Sequence, residues 1–173
     1  MPSVSPDNRP RLWDFSLAYY ARTGVAEACL RLQDEQGVNV NLLLWCMWLE
    51  KCGWELDAAR LRAAQKHIHA WDEHYVVPLR HLRRRMKAEY GVADRGIEDV
   101  REQIKQAELL AEKQLQTWLE TETQTWPRTE THHLIPGANL RLYLQQFNLT
   151  ETLIAQLLEL LEGAPASMVK HDT

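Results

Sequence analysis

Side chains able to do chemistry are densest between His67 and Lys87, HIHAWDEHYVVPLRHLRRRMK. That stretch holds four of the chain's seven histidines, one proline and five cations. Two chemistries suit the mixture: a divalent metal held by imidazole and carboxylate, or an anion gripped by arginines. Metal fits poorly. On an unbroken helix His67, His74 and His81 share a face, but neighbours lie about 10 Å apart along the axis. One metal needs its ligands at about 2.1 Å. The local set His69, Asp72 and Glu73 has helical spacing and is only a weak candidate, which His132 or His133 would have to complete. The bland alternative is exposed histidines beside a kink. No metal and no cofactor is expected.

The anion reading is sharper. Arg80, Arg83, Arg84, Arg85 and Lys87 alternate with Leu79, Leu82 and Met86. If the apolar stripe anchors this helix, its cations project over the remaining arc. Arg80 with Arg84, and Arg83 with Lys87, stand four apart, so each pair can bracket a phosphate or carboxylate. Arginine outnumbers lysine, which favours planar, bidentate contacts. The competing expectation is internal: the following helix carries Glu98, Asp99, Glu102, Glu108 and Glu112, which could pair with these cations.

A third polar group, Gln33, Asp34, Asn39 and Asn41, sits at the junction of two apolar helices. Asp34 and Asn41 could line a small-molecule pocket. Capping of the helix ends is the simpler role for such residues at a tight turn.

The elements that must position these groups read as helices. Pro10 suits the first turn of a helix running to about Arg22, closed by Gly24. Val25–Gln36 is a second helix, stopped by Gly37. Asn39 is a candidate N-cap for Val40–Lys51, which is apolar all round and therefore central. A fourth helix starts near Leu56 or Asp57 with Leu61, Ala64 and Ile68 on one face. Pro78 then predicts a kink near His74 or a new helix start. That helix runs to Tyr90 with Leu79, Leu82, Met86 and Tyr90 as its stripe. After the connector 91–95, a long helix spans about Gly96 to Thr123. Its apolar face is expected along Ile97, Val100, Ile104, Ala107, Ala111 and Trp118. Residues 126–137 read as a loop, Leu140–Phe147 as a helix, and Asn148 with Glu151 as a capping box for Leu149–Glu162. The fold class is all-α: a single-domain irregular bundle of six to eight helices at residues 10–162. Flexible tails are expected at 1–9 and 163–173.

Length and composition agree with a globular chain. The 173 residues are 45% apolar and 25% charged, enough to bury a core. A net charge of −4 argues against general nucleic-acid binding, and no aromatic interleaving accompanies the basic helix. Cys29, Cys46 and Cys52 are an odd, unclustered set, expected as reduced thiols filling apolar space. The N-terminus lacks a leader's charged start and apolar run, and Leu42–Leu49 is too short to span a bilayer. A cytoplasmic location without membrane insertion is expected. Glycines are scattered singly, so no phosphate-cradling loop is present, and no DDxxD-type acidic motif appears.

The stretches LWDFSLAYYARTGVAEACLRLQDEQGVNVNLLLWCMWLE and VVPLRHLRR resemble an uncharacterised family of small helical proteins from gammaproteobacteria, chiefly pseudomonads and their relatives. LQDEQGVNVNLLLWC is the most specific part. The resemblance implies a bacterial, cytosolic, all-helical protein and carries over no reaction and no catalytic residue. The reading that results is a non-enzymatic interaction or adaptor protein whose basic helix, residues 78–90, binds a protein or other anionic partner. It requires Arg80, Arg83, Arg84 and Lys87 to lack internal carboxylate partners. The alternative is a helical enzyme using a small molecule or metal, with its site near the Pro78 kink. The sequence leaves the oligomeric state open.

Overall fold

A run of apolar side chains with no polar break has no face to give to water. Val40–Cys52 (α3) accordingly is buried from Asn41 through Leu49. The computed structural model describes residues 9–127 and 135–162. Around α3 in sequence come α1 (Leu12–Tyr20), α2 (Val25–Gln36), α4 (Ala58–Trp71), α5 (Val77–Tyr90), α6 (Arg95–Thr123), α7 (Ala138–Leu144) and α8 (Glu151–Glu162). Every regular element among the described residues is helical, so the all-α class holds. The expected tails lie outside the described residues except for Arg9, as do His132 and His133.

The chain divides into two compact units, Met1–Ala58 with Pro127–Thr173, and Ala59–Trp126. In the first, α3 packs against α1, α2 and α7, while α8 packs on α2 and α7. Its polar groups do structural work. The Asn39 side chain accepts from the N–H groups of Asn41 and Leu42, the capping role expected of it. Glu50 accepts from the backbone N–H groups of Gly137 (2.8 Å) and Asn139 (2.7 Å), satisfying the start of α7. Buried Asn139 donates to the Trp54 carbonyl and accepts from the Leu56 N–H, both at 2.9 Å.

Several helix ends differ from expectation. Gly24 does not close α1, which ends at Ala21; it takes φ 81° to open α2. Gly37 takes φ 71° and does close α2. Asp94, not Gly96, sets the start of α6, its carboxylate accepting from the Ile97 N–H. The last helix starts at Glu151 because Thr150 caps it. The Thr150 hydroxyl accepts from Leu153 and its carbonyl from Ile154, so the expected Asn148 capping box does not form.

In the second unit, α4 and α5 run antiparallel to α6, joined by a π-helical segment, Asp72–Val76. The Val77 N–H reaches back five residues to the Asp72 carbonyl. Pro78 has no N–H, and its ring would strike the carbonyl four residues earlier in a continuous α-helix. The wider turn places Pro78 in the first turn of α5, where a proline is tolerated. The expected kink or break is therefore a π turn.

Candidate functional site

A π turn inserts one residue into the helical register. The consequence is visible at adjacent positions: Val76 is fully buried, whereas Tyr75 is 53% exposed. On an unbroken helix the face begun by Leu61, Ala64 and Ile68 would continue through Tyr75, Leu79, Leu82, Met86 and Tyr90. The inserted residue moves the inward face to Val76, Arg80 and Arg83 instead.

That slip gives Arg80 and Arg83 the internal carboxylate partners that the anion-binding reading required them to lack. The Arg80 Nε donates to Glu108 Oε1 at 3.2 Å and its Nη2 to Glu112 Oε1 at 2.7 Å. The Arg83 Nε donates to Glu108 Oε2 at 2.6 Å and its Nη2 to Oε1 at 3.2 Å. Glu108 is buried, so its charge needs these partners. The hydrogen bonds that Arg83 donates to Glu108 in turn hold its guanidinium above its ordinary pKa. Further along, Arg101 hydrogen-bonds Glu98 and keeps that carboxyl below the usual range, with Lys87 adding to the effect. Arg84 is half-buried and engaged. Arg85 is exposed and loosely paired with Glu89 at 3.9 Å, and Lys87 is exposed.

The apolar residues take the complementary position. No residue of α5 is buried. Leu82 is 36% and Tyr90 61% exposed, with Leu79 and Met86 half-buried. On α6 the buried positions include Glu108, Ala111, Leu115 and Leu119; of the expected line Ala111 is buried, Ile97, Ile104 and Trp118 are half-buried, and Val100 and Ala107 are exposed. Val100 is 54% exposed. The ion pairs fix which faces of the two antiparallel helices meet. Helical geometry then puts the Leu82–Tyr90 stripe of α5 and the Ile97–Val100–Ile104 edge of α6 on the same flank of the hairpin. This exposed apolar flank is a candidate surface that the residue pattern did not disclose. The signal was present: an apolar stripe that continues in phase across a mid-helix proline cannot keep its direction through the turn the proline demands.

The histidine stretch is divided by the same slip. His67 stacks near Trp118 (5.8 Å) and pairs with Glu122 at 3.3 Å, while His74 and His81 are exposed. Trp71 stacks on Tyr75 and Trp118 and donates its indole N–H to the Ala111 carbonyl at 2.9 Å. The metal candidates do not assemble. His69 and Glu73 form an exposed pair at 3.2 Å, and no group of three or more His, Cys, Asp or Glu among the described residues could hold a metal ion. Nor do Asp34 and Asn41 share a lining: Asp34 is exposed on α2, and Asn41 is buried in the first turn of α3. The cysteines are free and buried, and burial raises the pKa of both the Cys29 thiol, to about 12, and the Cys46 thiol. Among the described residues no helix is long and apolar enough to cross a membrane.

Residues 11–119 match the family described as Protein of unknown function (DUF2390), and the chain belongs to that family. No curated protein and no solved structure matches it.

Proposed function

We propose that this chain is a non-enzymatic interaction protein whose docking element is the apolar flank of the α5–α6 hairpin. One observation carries the reading. Arg80 and Arg83 occupy the inter-helix face opposite Glu108, so apolar side chains of both helices stand outside. Contiguous exposed apolar surface with a polar rim is the usual mark of a protein contact. Arg85 and Lys87 lie at exposed positions where they can serve as rim contacts to an acidic surface. An anionic partner seeking the whole basic helix would have to displace Glu108 from Arg80 and Arg83, which disfavours the broader phosphate-binding reading.

The test is capture of protein partners from the native cell by the wild-type chain and by a Leu82→Glu, Tyr90→Glu variant. Both sites are exposed, so thermal stability should stay nearly unchanged while capture is lost. A variant that folds and still captures the same partner would sink the proposal.

A further inference from the structure

On α6, the positions Gly96, Val100, Gln103, Ala107, Leu110 and Gln114 recur at alternating intervals of four and three residues. That is the heptad spacing of a coiled-coil seam. None of the six carries a charge, although the helix around them is rich in Glu, Lys and Arg. All six are exposed, Leu110 at 67%. The seam lies away from the face that meets Arg80 and Arg83, and adjoins the apolar flank described above. At about 1.5 Å per residue it extends about 27 Å along the helix.

The charges at the seam's border name its occupant. Asp99 and Lys113 are exposed and border the same edge, fourteen residues apart. In an antiparallel pairing of two α6 helices, like edges meet across the interface. With a two-fold axis beside residue 105, Val100 packs on the partner's Leu110, and Gln103 on the partner's Ala107. Asp99 then faces the partner's Lys113, and Lys113 the partner's Asp99. On the opposite edge Ile104 meets the partner's Ile104, beside the Met86 stripe of α5. A parallel pairing would set Asp99 against the partner's Ile104 and Lys113 against the partner's Trp118, leaving both charges unmatched. The surface is thus complementary to itself in one orientation, as a two-fold contact requires.

We infer that two copies of this chain associate through α6 in an antiparallel arrangement, so that the two α5–α6 hairpins form a four-helix bundle. This rests on the reading of the hairpin as a docking element and names its partner as a second copy.

Sedimentation equilibrium of the full chain tests it. The wild type should show twice the chain mass at micromolar to 100 µM concentrations. Leu110→Glu should return it to the single-chain mass with an unchanged melting curve. Asp99→Lys should weaken the dimer about tenfold at low salt, since it brings two lysines together at both ends. Adding Lys113→Asp should restore the affinity, because only the antiparallel register exchanges these two charges. A wild type of single-chain mass throughout, or a double variant no tighter than Asp99→Lys alone, would overturn the inference. If the wild type is monomeric but Leu82→Glu, Tyr90→Glu still abolishes capture of a different protein, self-pairing falls and the docking reading stands. If that pair of substitutions leaves capture intact as well, both fall.

Discussion

Arg83 grips Glu108 with two hydrogen bonds, Nε to Oε2 at 2.6 Å and Nη2 to Oε1 at 3.2 Å, from a helix whose apolar residues point elsewhere. Arg80 reaches the same carboxylate, so one buried glutamate accepts from two arginines one helical turn apart. A pair in this setting is costly to break and cheap to replace. Removing one member strands a desolvated charge, whereas exchanging all members for apolar residues of similar size strands none.

Glu108→Ala should therefore cost about 3 kcal/mol, measured by urea unfolding. Replacing Arg80, Arg83, Glu108 and Glu112 together by Met, Met, Leu and Leu should recover most of that loss. A cost below about 0.5 kcal/mol for Glu108→Ala would mean the pair is no better than an exposed salt bridge.

The π segment makes a second claim that can be measured. Deleting exposed His74 removes the extra residue, so a continuous α-helix keeps Val76, Arg80 and Arg83 on the inward face. Pro78→Ala removes the ring that such a helix could not hold. In the doubly changed chain Glu108 keeps its arginines, and Glu108→Ala should cost about 3 kcal/mol there as in the wild type. A cost that vanishes in the deletion background would refute the register slip.

The buried thiols predict an alkaline limit. The Cys29 pKa is raised by burial from 9.0 to about 12. The unfolded chain thus loses this proton first. The stability from keeping the thiol neutral is fully present below pH 9 and declines as pH rises from there to about 12. At pH 8 the native protein should react with a thiol-alkylating reagent far more slowly than the urea-unfolded chain. Rapid modification of Cys29 in the native state would contradict its burial.

Much of the fold was legible because it follows from local rules. The unbroken apolar run Leu42–Leu49 has no side to expose, so α3 had to be central, and it is. Asn39 and Gly37 mark helix ends by hydrogen bonding and by backbone conformation available at short range, and both mark them in the structure. The later ends were less legible. Thr150 and Asn148 are both acceptable caps, and only the path of the chain into α8 chose Thr150.

The sequence by itself determined that this is a helical protein, where its central helix lies, and that α5 carries an apolar stripe and a basic stripe. It also supplied Glu108 and Glu112 as candidate partners for the cations. Tertiary structure decided which stripe of α5 faces α6. The reason is one residue of register. Pro78 forces a wider turn upstream, the turn rotates everything after it, and the inward position passes from Tyr75 to Val76 and from Leu79 to Arg80. Composition and periodicity are unchanged by that rotation. It turns a basic surface inward onto Glu108 and turns an expected core outward.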